Sequence, residues 1–135
     1  MKQYLPHTLV PGGLVILLLL HAGCAFDLVS VHQKPATLST VHDSPSFILT
    51  NEVTASLGTG YPTTLKANTT WSQVGKTEFG NAFSTKDQIV KVEASNIHEA
   101  YVVVSNDCLI GFFLPFESSF ARISRPVPLQ TRNKP

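Results

Sequence analysis

Cysteine and histidine are the residues of this chain best suited to chemistry, because a thiolate is a nucleophile and both side chains bind metals. The chain has two cysteines, Cys24 and Cys108, and five histidines, His7, His21, His32, His42 and His98. No CxxC or HExxH spacing accompanies them, so the sequence predicts no metal and no cofactor. No Gly-x-Ser-x-Gly motif surrounds a serine either, and we therefore predict no catalytic residue.

His98 and Glu99 are the nearest approach to an acid–base pair in the sequence. Adjacent residues on a strand point to opposite faces of the sheet, which disfavours a catalytic dyad and favours a polar pair at a strand edge. An envelope hydrolase remains a third and weakest functional hypothesis. It requires His98 or Glu99 to face a second polar group across a cleft.

The residues before Cys24 have the character of an export signal. Lys2 precedes an apolar segment that includes the unbroken run 14–20. This run is too short to span a bilayer core of about 30 Å, but it suits the apolar region of a secretory signal. The small residues Ala22 and Gly23 then lead into Cys24. This order resembles the lipobox of bacterial lipoproteins, although His21 stands where an aliphatic residue is usual.

The resemblance implies that residues 1–23 are removed and that the Cys24 thiol is lipidated. Several acyl chains on one residue give stable anchoring, since each buried CH₂ contributes about 0.8 kcal/mol. Ala25 rather than aspartate follows the cysteine, which in that family is typical of sorting to the outer membrane, facing the periplasm. Cleavage after Ala25 is the alternative and gives a soluble periplasmic or secreted protein. An uncleaved anchor is a further one.

Two flanking segments bound the predicted domain at residues 46–125. Residues 24–45 are rich in Ser, Thr, Pro and His and predict a flexible linker, in which about 20 residues reach roughly 65 Å. A strand through Leu28, Ser30 and His32 is the alternative for this linker. Residues 126–135 predict a basic, proline-containing solvated tail. Attraction of the basic residues in 122–135 to anionic lipid headgroups is the alternative reading of that end.

The domain itself shows the period-two alternation of β-strands. Residues 46–57 alternate between apolar and polar side chains, and shorter strands are expected at 69–75, 81–85, 88–94 and 120–123. Residues 100–104 and 108–114 are apolar on both faces around a turn at 105–107, which predicts a hairpin central in the sheet and ended by Pro115. We predict an all-β fold, a small antiparallel barrel or sandwich of five to seven strands.

Composition narrows the possible partners. The formal net charge is +1 and only 14% of residues are charged, which argues against nucleic acid as a partner, while 43% hydrophobic residues argue against disorder. Phe116 and Phe120 follow the last apolar strand and are candidates for a partner-docking patch, with core packing as the alternative. We expect Cys108 to be a half-buried apolar side chain, and the alternative is an intermolecular disulfide or a reactive thiol.

Together these features predict a non-enzymatic lipoprotein that acts as an adaptor or structural component of the cell envelope, such as part of a secretion or conjugation apparatus. Its predicted partners are membrane lipid, through acylated Cys24, and an envelope protein. A secreted or periplasmic ligand-binding or inhibitor module is the alternative, which a deep pocket or protruding loop would favour.

Overall fold

The computed structural model describes residues 32–58, 61–93 and 96–135, and these residues form an all-β fold without a helix. Within these ranges there are twelve strands, all paired antiparallel. In chain order they are β1 (Gln33–Pro35), β2 (Ser46–Leu49), β3 (Val53–Ser56), β4 (Pro62–Leu65), β5 (Thr69–Lys76), β6 (Asn81–Thr85), β7 (Lys91–Glu93), β8 (Ile97–Glu99), β9 (Tyr101–Ser105), β10 (Cys108–Leu114), β11 (Ser119–Pro128) and β12 (Thr131–Asn133).

Eight of these strands make one sheet in the order β1-β11-β10-β9-β6-β5-β2-β12. The remaining strands form two hairpins, β3–β4 and β7–β8. β3 contacts β11 and β4 contacts β7, so the hairpins make a second layer over one face of the sheet. The prediction of an all-β class is confirmed. The sheet does not close into a barrel, and the architecture is sandwich-like.

The β9–β10 hairpin lies inside the large sheet, as its sequence predicts. β9 pairs with β6 and β10 pairs with β11, so neither strand is at an edge. Asn106 and Asp107 form the two-residue turn with φ values of 50° and 60°, the left-handed geometry that suits such a hairpin. Pro115 starts the next turn directly after β10.

The face of the sheet beneath the two hairpins carries the larger apolar cluster, which we call the front cluster. Its sheet residues include Trp71 and Phe112, which are fully buried, and its hairpin residues include Val53, Leu65 and Val92. The Thr63 hydroxyl links the hairpins by donating to the Lys91 carbonyl at 3.0 Å. Residues from two layers therefore meet in a single core, as in a sandwich.

The opposite face carries a smaller apolar cluster, which we call the back cluster. Its buried members are Ala36, Val103, Ile110, Phe113 and Phe120. Leu38 and Phe79 are half-buried against them. Residues 36–39, which we call the strap, supply Ala36 and Leu38. The strap thus covers an apolar face of the β9–β10 hairpin that would otherwise be exposed to solvent.

The structure departs from the predicted boundaries at both ends of the domain. The predicted linker contributes β1 and the strap, because its few apolar residues are needed to cover the back cluster. The predicted final strand 120–123 is only part of β11, which runs to Pro128, and β12 pairs with β2. Most side chains of the predicted solvated tail are exposed, but Val127 and Leu129 are half-buried against the front cluster, and the backbone belongs largely to the sheet. These additions, together with several short strands, raise the strand count above five to seven.

The alternating segment 46–57 is two strands rather than one. β2 belongs to the large sheet and β3 to a hairpin, and Thr50 between them bonds through both its amide and its hydroxyl to the Gln130 carbonyl at 2.9 Å. Leu49 and Val53 remain in the same front cluster. The alternation therefore predicted which side chains are buried, but not the bend at which the chain changes layers.

Candidate anchoring and docking site

The predicted signal (residues 1–23) and the candidate lipidation residue Cys24 lie outside the described residues. The described chain starts at His32, and β1 begins at Gln33, nine residues after Cys24. Nine residues span at most about 30 Å when fully extended. If Cys24 is the anchor, the folded domain is therefore held about half as far from the membrane as the predicted 20-residue linker allows.

The strap is held to the sheet by a series of hydrogen bonds from its backbone. The Ala36 amide donates to the Ser118 carbonyl at 3.0 Å, and Ser39 and Lys76 exchange two amide–carbonyl bonds of 2.9 Å each. The Thr37 amide donates to the Glu78 carboxylate at 3.1 Å. Each such hydrogen bond contributes about 0.5–1.5 kcal/mol to the stability of the fold. The strap is therefore held both by hydrogen bonds along its length and by the burial of its apolar side chains.

Gly75 is the residue of β5 that allows the strap to approach so closely. A Cβ at this position would lie 2.6 Å from Leu38 Cδ1 and 2.7 Å from the Ser39 carbonyl oxygen. Both distances are too short for real contacts, so any larger residue would push the strap away from the sheet. The sequence marked Gly75 only as the end of a strand, because its structural reason is a non-local contact.

The two candidate docking residues lie in different environments. Phe116 sits in the turn 115–118 with 88% of its surface exposed, whereas Phe120 is 1% exposed within β11. The Phe120 ring stacks on Phe79 with 4.3 Å between centroids and an interplanar angle of 12°. Phe120 is thus a core residue, and the proposed pair does not form a common patch. Phe116 is the one that remains available to a partner.

Beside Phe116, the turn is tied to β8 by a polar contact. His98 Nδ1 lies 2.5 Å from Glu117 Oε1, while Glu99 on the same strand is exposed. The expected opposite orientation of His98 and Glu99 fits this arrangement. His98 does face a second polar group, but this pair bridges two surface segments, whereas Glu99 lines a separate open cleft beside Tyr101. Two exposed apolar residues, Ile97 and Phe116, are the immediate chain neighbours of this pair.

The described residues form several shallow clefts that are open to solvent. One of about 350 Å³ is polar and is lined by Thr70, Ser72, Ser84, Thr85, Lys86, Asp87 and Lys134. A second, of about 310 Å³, lies at β1 and β11 and is lined by His32, Gln33, Lys34, Phe120 and Arg122. Two more lie beside Phe83 and beside Tyr101. Small-molecule sites are usually well enclosed, whereas these clefts are open to solvent.

Three further features concern only the described part of the chain. No group of three or more potential metal ligands occurs there. None of its segments is a helix long and apolar enough to cross a membrane. Cys108 is half-buried against the back cluster and has no disulfide partner among these residues, which is the environment of the half-buried thiol that we predicted.

Comparison with known proteins adds no relative: no family model, no curated protein and no solved structure matches this chain. The class of the domain therefore follows from its own fold, which is all-β and sandwich-like.

Proposed function

We propose that the protein is a lipid-anchored, non-enzymatic adaptor of the bacterial cell envelope. The observation that carries the proposal is the Ala22–Gly23–Cys24 sequence behind a short apolar run, nine residues before β1. Acylated Cys24 would hold the domain at the membrane, with the outer membrane and its periplasmic face as the proposed location. An envelope protein, for example a component of a secretion or conjugation apparatus, is the proposed partner.

The arrangement of β1 supports a division between an anchored end and a docking end. β1 enters the sheet at Gln33, and the strap leaves it at Ala36, whose amide bonds to Ser118 in the turn that carries Phe116. Three residues of strand separate these two points by roughly 10 Å. The end of β1 that is closer to Cys24 in the sequence and the turn that carries the exposed Phe116 thus lie at opposite ends of β1.

Phe116 supplies the chemistry of the docking end. Exposed aromatic residues are enriched where one protein binds another, because they bury a large area with few rotatable bonds. Phe116 is the chain neighbour of Glu117, whose contact with His98 ties the turn to β8. We propose that an apolar pocket on the envelope partner receives Phe116.

The anchor is tested with the two cysteines of the chain. Cys24→Ser should abolish incorporation of labelled fatty acid and release the protein from the membrane fraction, because it removes the only proposed acyl acceptor. Cys108→Ser is the matched control and should leave label and fractionation unchanged. Retention of acyl label in the Cys24→Ser protein would contradict the anchor.

The docking end is tested with two exposed apolar residues. Phe116→Asp should remove a discrete cross-link to an envelope protein formed in intact cells, because a carboxylate cannot be buried cheaply in an apolar pocket. Ile89→Asp changes a side chain that is also exposed, at 71%, and should keep the cross-link. Equal cross-linking of all three proteins would argue against a role for Phe116.

A ligand-binding module remains the second candidate because of the 350 Å³ polar cleft. Its hydroxyl groups and lysines could hold a polar ligand, and Asp87 is fixed there by accepting a bond from the Thr70 amide at 2.6 Å. Replacing Ser72 and Ser84 by alanine should then abolish binding of that ligand without altering the Phe116-dependent cross-link. The open, polar character of this cleft makes ligand binding the less favoured function.

A further inference from the structure

The β1–β11 edge of the large sheet carries a compact basic surface, which we call the basic edge and define by His32, Lys34 and Arg122. All three line the cleft of about 310 Å³, and none of the residues that line it is acidic. In the strand register Lys34 lies opposite Phe120. Because side chains alternate along a strand, Arg122 lies on the same face as Phe120. The basic groups therefore share the back face of the sheet.

The aromatic residues beneath this surface hold one of its charges in place. The Arg122 guanidinium lies 5.4 Å from the centre of the Phe120 ring, within the range of a cation–π contact. Phe120 is itself buried and stacked on Phe79. A Cβ on Gly111 would lie 2.6 Å from the Phe120 ring, so this glycine makes room for the ring. The Phe120 ring thus gives the exposed Arg122 guanidinium a contact on the back face of the sheet.

The position of the basic edge along the chain suggests what it contacts. His32 lies eight residues and Lys34 ten residues after Cys24. Charges on a protein sense a membrane only within about one Debye length, roughly 8–10 Å at physiological salt. Eight residues span at most about 26–29 Å, so a connection to an acylated cysteine would let the basic edge reach the bilayer surface. Lys86 and Lys134 line a different cleft on other strands.

We propose that the basic edge binds the phosphate groups of anionic phospholipid headgroups in the membrane that anchors Cys24. This inference rests on the proposed anchoring and adds an orientation to it. Arginine and lysine are suited to phosphate, arginine through paired N–H donors and lysine as a compact charge. Contact at this edge would hold the β1–β11 side of the sheet against the bilayer.

The test compares two double variants with the same change in net charge. Full-length protein carrying Cys24→Ser is used throughout, so that binding does not depend on acylation. Lys34→Gln with Arg122→Gln neutralises the basic edge, and Lys86→Gln with Lys134→Gln neutralises the other cleft. Co-sedimentation is measured with phosphatidylcholine vesicles that contain or lack phosphatidylglycerol, and the difference between the two vesicle types is the readout.

Each lysine or arginine near an anionic surface changes binding about five-fold, the equivalent of about 1 kcal/mol. The basic-edge variant should therefore lose phosphatidylglycerol-dependent binding by about twenty-five-fold, and the control variant by less than about two-fold. Equal losses in the two variants, or no dependence on phosphatidylglycerol, would overturn the proposal. Matching circular dichroism spectra of all proteins show that the variants are folded.

The outcome separates this inference from the proposed anchor. Fatty-acid labelling of Cys24 in the wild-type protein, without discrimination between the two variants, would overturn the basic edge alone. Discrimination between the variants without labelling would contradict the anchor while supporting a basic surface for anionic lipid.

Discussion

The two faces of the large sheet are covered in different ways. The front cluster lies beneath two hairpins, and the covering strands β3, β4 and β7 present alternating buried and exposed residues. The back cluster is covered by the strap and by Phe79 in the β5–β6 turn. A layer of hairpins carries its own strand pairing, whereas the strap depends on the sheet for nearly all its bonds.

Residues 33–39 lie in the segment that the sequence predicts as a flexible linker, yet they are part of the folded domain. The strap within this range covers the back cluster and is held there by its bonds to the sheet. Local opening should therefore be easier at the back face than at the front. Three substitutions test this contrast.

Removing a fully buried ring from the front cluster should have the largest effect. Phe112→Ala should lower the free energy of unfolding by about 3–5 kcal/mol, because it deletes apolar contacts and leaves a cavity between two layers. Phe116→Ala, at an exposed position, should change it by no more than about 0.5 kcal/mol. Denaturant unfolding measures both values. Similar values for the two variants would contradict the placement of Phe112 in the core.

Displacing the strap should have an intermediate effect. Gly75→Ala places a methyl group against Leu38 and the Ser39 carbonyl, and should cost about 1–3 kcal/mol. Amide exchange should accelerate at Ser39 and Lys76, which bond to each other, and much less in the front cluster. Lys76→Ala, an exposed neighbour, is the control and should leave exchange at Ser39 nearly unchanged. Unaltered exchange in Gly75→Ala would show that the strap tolerates the added group.

A smaller effect is expected when the strap loses only part of its apolar contact. Leu38→Ala should increase the reaction rate of the Cys108 thiol with a thiol reagent by up to about ten-fold, through easier local opening of the back face. The experiment uses Cys24→Ser protein so that one thiol reacts. Leu57→Ala removes a half-buried leucine of the front cluster and should leave the rate nearly unchanged. Equal acceleration by both variants would mean that the two faces open together.

The sequence predicts the parts of the fold that local patterns determine, and it misses the parts that depend on distant contacts. The β9–β10 hairpin, its turn and its central position follow from local patterns: apolar residues on both faces, turn residues between them and Pro115 after them. The strap does not follow, because only Ala36 and Leu38 mark it and their burial depends on a distant sheet face. β12 is missed for a similar reason, since its pairing with β2 joins residues more than 80 positions apart.

The candidate site shows a similar limit. Phe116 and Phe120 are both phenylalanines and lie four residues apart. Phe116 is nevertheless exposed in its turn, whereas Phe120 is buried and stacks on Phe79. Sequence alone left docking and core packing open for both. The basic edge also escaped prediction as a unit, because β1 places His32 and Lys34 next to Arg122 only after the strand has paired with β11.

The proposed role depends most directly on the chemistry of residue 24. Mass spectrometry of the intact protein isolated from its host membrane measures where the mature chain begins and what it carries. The account predicts a chain that begins at Cys24 and bears covalently attached acyl groups on that residue. An unmodified chain that begins at Phe26 would contradict the lipid anchor.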